Sequence, residues 1–128
     1  MKIENIKFKA KRLDNGEWVE GSLVKSYLNS KEQTYIIPIF NRAGDIKTVE
    51  VNPSTVCQFT GFTDCKGKEL FEHDLIHIVG SNYAAEVIWS EGRYVFMVVC
   101  ENKHSYGLYS ALKACKIKRI GNKFDKEK

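Results

Sequence analysis

Apolar and polar positions alternate along much of the chain with the period of two that is typical of β-strands. The clearest case runs from Ile6 to Lys11, where three apolar residues alternate with three lysines. Because successive side chains of a strand point to opposite faces, this pattern predicts a half-buried strand with its ammonium groups in solvent. Asp14-Asn15-Gly16 predicts a tight turn and residues 17–28 a partner strand, so the N-terminal region is predicted to form a β-hairpin.

Further short stretches rich in β-branched and aromatic residues follow at close spacing. We predict strands in these stretches, at residues 34–40, 46–51, 74–79, 84–89, 94–99 and 115–121. We predict turns between them, at residues 42–45, 65–68 and 90–92. About eight short strands separated by turns indicate a mainly β fold, and a barrel is the arrangement that we expect.

Helical patterns are short in this sequence. Residues 105–115 hold the best one, with Leu108, Leu112 and Cys115 at helical spacing, and we predict at most two turns there. Residues 53–59 are expected to add one helical turn. The fold should therefore contain little helix.

Length and composition bound the class of protein. The 128 residues fit one domain. The longest apolar run, Val95 to Cys100, is far shorter than the roughly 20 residues of a membrane-spanning helix. The opening residues also lack the apolar stretch of about 7–15 residues found in a signal peptide. The four cysteines form no C-x-x-C pair, and we expect free thiols in a cytoplasmic protein.

The net charge of +4 hides an asymmetry between the ends of the chain and its middle. Residues 1–12 carry five Lys/Arg against one Glu, and residues 113–128 carry seven against two acidic residues. Basic clusters can bind nucleic acid by releasing phosphate counterions, and solvated strand faces have the same composition. The candidate nucleic-acid contacts are Lys7, Lys9, Lys11, Arg12, Lys116, Lys118 and Arg119.

The segment HDLIH, residues 73–77, is close to the zinc-protease signature H-E-x-x-H. That signature requires a helix, whereas the residues around His77 favour a strand. On a strand His73 and His77 would lie roughly 13 Å apart, too far to share one metal ion. We therefore predict no metal site and interpret both residues as surface or strand-edge histidines.

A wider window, VNPSTVCQFTGFTDCKGKELFEHDLIHI (51–78), resembles the signature of the YopX family, whose members read approximately V-D-P-x-T-V-x-Q-Y-T-G-x-x-D-x-x-G-K-E-I-Y-E-G-D-I-V. The residues that match outright are Val51, Pro53, Thr55, Val56, Gln58, Thr60, Gly61, Asp64, Gly67, Lys68, Glu69, Glu72 and Asp74. Residues 6–21, 84–96 and 117–124 are similar to other conserved stretches of this family. Two positions depart from it, since Lys11 stands where Trp is usual and His73 where Gly is usual.

The resemblance implies a bacterial or prophage-encoded protein of no assigned biochemistry. It also implies an SH3-like barrel after the motif, and we expect a single YopX-like domain. Its parts would be N-terminal strands at 1–52, the family motif and turn at 53–74, the barrel portion at 75–122 and a frayed tail at 123–128. If the glycine that the family usually has at this position takes a positive φ, His73 must adopt the same φ at a cost of about 1 kcal/mol.

The motif has a structural and a functional interpretation. Asp64 to Lys68 is predicted to be a turn in which the Asp accepts backbone N–H groups, and this architectural role is the one that we favour. The alternative is a polar binding surface formed by Gln58, Thr60, Asp64, Lys68, Glu69, Glu72 and Asp74. No pattern for a nucleophile, a phosphate loop or a cofactor accompanies them, so we expect neither catalysis nor a cofactor.

Two functional hypotheses from different classes follow. The first is a protein-interaction module that binds an unknown protein partner or self-associates through an exposed strand edge. The second is a nucleic-acid-binding protein that uses a basic face formed by both termini. The first ranks higher because the lysines of the N-terminal strand alternate with apolar residues and are explained by its solvent face.

Overall fold

The computed structural model describes residues 2–28, 31–38, 48–81, 84–101 and 104–126. Over these residues the protein is mainly β, with two antiparallel sheets and one α-helix. This confirms the predicted class. The chain divides into two compact units, of which the first extends to Gln58 and the second covers Phe59–Lys126.

The first unit is built on long antiparallel strands. They are β1 (Phe8–Lys11), β2 (Trp18–Leu28), β3 (Lys31–Pro38), β4 (Val49–Glu50) and the first two residues of β5 (Cys57–Thr63). Their order in the sheet is β4-β3-β2-β1-β5. The predicted β1–β2 hairpin is confirmed, and Gly16 in its turn has a φ of 71°. The turn predicted at residues 42–45 lies outside the described residues.

The alternation in β1 is confirmed, but its predicted solvent face is wrong. Ala10 is fully buried and packs with Ile36 and Val51 in the core of this unit. On the opposite face Lys9 and Lys11 are only 6% and 5% exposed. Their ammonium groups lie 4.5 Å and 5.5 Å from the centre of the Trp18 ring, where the negative face of the indole attracts a cation. A neighbouring side chain therefore covers the face that alternation alone assigned to solvent.

The start of the family motif holds β1 in place. Residues Pro53–Thr55 form a 3₁₀ turn in which Asn52 accepts a hydrogen bond from the Ser54 backbone. Thr55 Oγ1 accepts a bond of 2.9 Å from the Lys11 backbone N–H and donates one of 2.7 Å to the Asn52 carbonyl. Asn52 N in turn donates to the Lys11 carbonyl. The helical turn expected at 53–59 is thus shorter than predicted, because β5 begins at Cys57.

The second unit contains the rest of β5 and the remaining elements. These are β6 (Glu69–Phe71), β7 (Asp74–Ile78), β8 (Ala84–Ser90), β9 (Val95–Cys100), β10 (Ser105–Gly107), α1 (Leu108–Ala114) and β11 (Ile117–Asn122). The last five strands form a sheet of order β10-β9-β8-β7-β11, and β5 pairs with β6. Within the described residues this sheet does not close, so the expected barrel is not confirmed.

One face of this sheet carries the core. Its fully buried side chains include Ile76, Val87, Val98 and Ile117, and Leu108 of α1 packs against them. The helix has the length that was predicted. Strands β5 and β10 were missed, because polar residues interrupt each apolar pattern. The predicted fraying also fails over residues 123–126, which form a turn in which Lys123 N donates to the His73 carbonyl.

Candidate functional site

The predicted polar surface separates into exposed and buried residues. Gln58 and Lys68 are exposed, whereas Thr60, Glu69 and Glu72 are half-buried. The two aspartates of the set, Asp64 and Asp74, are only 6% and 0% exposed. They cannot contribute to a binding surface, because their oxygens face the interior of the second unit.

Asp64 anchors the turn between β5 and β6. One carboxylate oxygen accepts hydrogen bonds from Lys66 N and Lys68 N at 2.8 Å and 2.9 Å, and the other accepts from Arg119 N at 2.8 Å. Burial by itself would raise the pKa of this carboxyl group. The three backbone donors and the nearby Lys68 charge outweigh burial and hold the pKa below its usual value of 3.8.

The same turn covers one edge of the five-stranded sheet. Besides the bond to Arg119, Cys65 N donates to the Ile117 carbonyl at 2.9 Å. The Arg119 N–H and the Ile117 carbonyl both belong to β11, which is an edge strand of the sheet. The turn therefore acts as a structural element, as predicted. It supplies hydrogen-bond partners to backbone groups of β11 that an unprotected edge would leave unpaired.

Asp74 holds a second buried junction. Its carboxylate accepts hydrogen bonds from Phe71 N at 2.7 Å and from Asn122 Nδ2 at 2.8 Å. Arg119 Nε lies 3.1 Å from the same carboxylate and supplies a positive charge, although it is not aligned as a hydrogen-bond donor. Thr60 is also structural, since its hydroxyl donates to the Leu70 carbonyl at 2.7 Å.

His73 stands at the position where the resemblance led us to expect glycine, and its φ is 70°. Its Nδ1 lies 2.9 Å from Glu86 Oε2 and its Nε2 lies 3.6 Å from Glu72 Oε2. The edge of its ring contacts Phe124, with 5.2 Å between the ring centres. His73 is therefore half-buried and lies directly before strand β7, so of the two predicted positions, surface or strand edge, the structure supports the strand edge.

The second histidine of HDLIH, His77, lies within a strand. The strand β7 begins at Asp74, as the strand-like sequence predicted, and His77 Nε2 donates to the Ser81 carbonyl at 2.7 Å. Across the part of the chain that the structure describes, no group of three potential ligands is arranged to hold a metal ion. Nor does this part of the chain contain a helix that is long and apolar enough to cross a membrane.

The predicted nucleic-acid contacts lie in different units and differ in exposure. Lys7 to Arg12 belong to the first unit, where Lys9 and Lys11 are buried and Arg12 pairs with Asp14 at 2.8 Å. Lys116, Lys118 and Arg119 belong to the second unit, and the two lysines are exposed. Among the lysines of the proposed basic face, the exposed ones are therefore Lys116 and Lys118, which lie in the C-terminal part of the chain.

A groove on the second unit was not foreseen from the sequence. It has a volume of about 440 Å³ and is lined by the residues Leu75, Ala84, Ala85, Glu86, Ile88, Val99, Cys100, Glu101 and Ile120. Leu75 and Val99 are the register partners of Glu86 on the two neighbouring strands, so these three side chains share one face of the sheet. This is the face opposite the core residues Val87 and Val98. The alternation in β8 places Glu86 and Ile88 on one face and Ala85 and Val87 on the other, and this was the signal in the sequence.

An extended hairpin arm is the second exposed feature. We use this name for Ser26–Leu28 of β2 with Lys31–Gln33 of β3, which pair with each other through the register Ser26↔Gln33 to Leu28↔Lys31. β1 reaches only to Gly21, and β4 pairs only with Tyr35 and Ile36. Within the described residues the outer edges of the arm therefore have no strand beside them.

Fold and site together define a small β protein whose central motif is held by buried carboxylates. The family model described as YopX protein matches residues 7–127, which is nearly the whole chain, and the chain belongs to this family. No curated protein matches it.

Proposed function

We propose that this chain is a non-catalytic, phage-associated protein-interaction module that acts in the bacterial cytoplasm and self-associates through the hairpin arm. The observation that carries the proposal is the open edge on each side of the arm. An unpaired strand edge presents a row of N–H and C=O groups that another strand can satisfy.

The composition of the arm favours association over simple solvation. Tyr27 is 73% exposed and supplies a large aromatic side chain to the arm that a partner can cover. On the same face of the hairpin, Glu32 is the register partner of Tyr27 and forms an exposed ion pair of 3.4 Å with Lys25. A second copy that adds its arm edge to edge pairs the open backbone groups and places further side chains beside Tyr27.

The contrast with β11 strengthens this argument. There the Asp64 turn satisfies the edge through Arg119 N and the Ile117 carbonyl. A small protein that covers one edge and leaves another open has a reason to keep that edge available, because open edges otherwise promote aggregation. Within the described residues the arm edges have no strand beside them, in contrast to the covered edge of β11.

The test is the oligomeric state of the purified chain. Light scattering on a gel-filtration column should show a discrete oligomer, and Tyr27→Lys should convert it to monomer because a charge on the contact surface opposes pairing. Tyr94→Lys is the matched control, since Tyr94 is 75% exposed and lies in the β8–β9 turn. A wild-type protein that stays monomeric at all concentrations, or equal effects of both variants, would contradict self-association through the arm.

The cytoplasmic part of the proposal is supported by the cysteines. All four are free, with Cys65 and Cys115 exposed and Cys57 and Cys100 buried. Free exposed thiols persist where the compartment is reducing.

A nucleic-acid-binding function is the second candidate, and one observation favours it. Tyr106 and Tyr109 are 53% and 55% exposed, and Lys113 lies 4.8 Å from the Tyr109 ring, with the exposed Lys116 and Lys118 following in sequence. Aromatic rings beside cations are typical of single-strand binders. Binding to mixed-sequence single-stranded DNA or RNA that weakens strongly between about 50 and 200 mM salt, and is lost in Tyr109→Ala, would support this candidate over the first.

A further inference from the structure

The groove on the second unit combines an aliphatic lining with negative charge. Leu75, Ile88, Val99 and Ile120 supply apolar side chains, and Ile120 is 56% exposed. Glu86 and Glu101 supply two carboxylates, and none of the described lining residues is a lysine or an arginine. A ligand that fits this lining must carry both apolar groups and positive charge.

The dimensions of the groove favour an extended ligand. Its lining residues come from β9, β8, β7 and β11, which are four adjacent strands of the sheet. At about 4.8 Å between neighbouring strands, the groove runs roughly 14 Å across the sheet. This length matches about four residues of extended peptide, at about 3.3 Å each.

Glu86 is the residue for which the ligand must supply a positive charge. It lies on the central strand β8 between Leu75 and Val99, so any ligand that covers these two side chains also removes water from its carboxylate. His73 Nδ1, 2.9 Å away, fixes the position of this carboxylate. A buried carboxylate without enough partners is strongly unfavourable, and a purely apolar ligand would leave it short of them.

We infer that this groove binds a short extended segment of another protein in which an aliphatic residue and a Lys or Arg stand two positions apart, because side chains at i and i+2 of an extended segment point to the same face. The aliphatic side chains fill the space between Leu75, Ile88 and Val99, and a basic side chain pairs with Glu86. A second basic side chain pairs with Glu101, which directly follows β9. This surface belongs to the second unit, and the inference therefore goes beyond the proposed association through the arm.

The test uses the full chain and a synthetic peptide, Leu-Ser-Lys-Ser-Leu-Ser-Lys with blocked ends and a fluorescent label, in which the Leu and Lys side chains share one face of the extended segment. Anisotropy should show saturable binding with Kd below about 1 mM. A peptide with Glu in place of each Lys should not bind, because its charges would face Glu86 and Glu101. Absence of binding by the lysine peptide would overturn the inference.

Variants then locate the site. The double substitution Glu86→Gln with Glu101→Gln should weaken the lysine peptide at least about tenfold. Ile120→Ser should weaken it as well, and because Ile120 is largely exposed this variant should keep its fold. Glu91→Gln is the matched control, since Glu91 is exposed in the β8–β9 turn and does not line the groove. Equal weakening by the control would overturn the inference by showing nonspecific charge attraction.

The oligomeric state separates this inference from the proposed function. Peptide binding that persists in the Tyr27→Lys monomer would support the groove independently of the arm. If instead the peptide does not bind and Ile120→Ser reduces the size of the oligomer, the occupant is a second copy of this chain and the peptide inference is wrong.

Discussion

Asp64 and Arg119 are 55 positions apart in the sequence, yet Asp64 Oδ2 accepts a hydrogen bond of 2.8 Å from the Arg119 backbone N–H. The bond ties the turn at the centre of the family motif to the edge strand β11. The same carboxylate holds two further N–H groups of its own turn. One side chain thus organises the turn and protects the edge of the sheet.

Removal of this carboxylate should destabilise the protein. Hydrogen bonds to a charged acceptor contribute about 1.5–3 kcal/mol each, and they are not additive, so Asp64→Ala should lower the free energy of unfolding by about 2–4 kcal/mol. Urea denaturation measures the effect. Asp14→Ala is the control, because Asp14 is exposed and pairs only locally with Arg12. Comparable losses in the two variants would contradict the anchoring role of Asp64.

The pH dependence of stability should carry the signature of Asp64. Its pKa is lower in the folded protein than the usual 3.8, so the folded state favours the charged form. The stabilisation is fully present above the unfolded-state pKa and is lost as the pH falls through the lower, folded-state pKa. The stability difference between the wild type and Asp64→Asn should therefore be constant near neutral pH and shrink below about pH 4. A difference that does not change between neutral pH and pH 2 would contradict this linkage.

The positive φ of His73 predicts a reversal of the usual order of alanine and glycine. Both His73→Ala and His73→Gly lose the contacts with Glu86 and Phe124, but only glycine accepts a φ of 70° without steric cost. His73→Gly should be more stable than His73→Ala by about 1 kcal/mol in thermal or urea unfolding.

His77 supplies the matched control for this comparison. It lies within strand β7, where glycine is less favourable than alanine. His77→Gly should therefore be less stable than His77→Ala. The same order at both positions would show that the backbone at position 73 is not strained.

Thr55 should be sensitive to loss of its hydroxyl alone. The side chain is fully buried, and Thr55→Val keeps its shape while removing the acceptor of the Lys11 N–H and one of the two donors to the Asn52 carbonyl. We expect a loss of about 1–3 kcal/mol in the free energy of unfolding. Thr63→Val, at an exposed position of β5, should have little effect. A neutral Thr55→Val would mean that the turn does not depend on these bonds.

The cysteines predict a simple reactivity pattern. A thiol reagent such as Ellman's should modify the exposed Cys65 and Cys115 in the native protein and reach Cys57 and Cys100 only after denaturation. Absorbance during the reaction would show two fast thiols. Four fast thiols in native protein would contradict the burial of Cys57 and Cys100.

The parts of the fold that were predicted correctly depend on local patterns. The alternation in β1, the Asp14-Asn15-Gly16 turn and the apolar runs of β8 and β9 lie within single segments, so their sequence carries the signal. The short helix α1 was recognised for the same reason. Strand β5 was missed, because Thr60 and Gly61 interrupt the apolar pattern and pairing with the distant strand β1 compensates for it.

The candidate site was harder to predict. The motif correctly marked Asp64 as a turn residue, but the burial of Asp64 and Asp74 follows from donors on Arg119 and Asn122, far along the chain. The groove around Glu86 likewise requires the register of four strands.

The sequence by itself determined the β class, the turns, the family and which side chains share a face of each strand, because a period of two is a local property of the backbone. Only the tertiary structure decided which faces are covered. Trp18 buries the lysines of β1, whereas one face of the second sheet stays accessible around Ile88. Burial depends on contacts between segments that are far apart in the sequence, and a local pattern of apolar and polar residues does not specify which distant segment will pack against it.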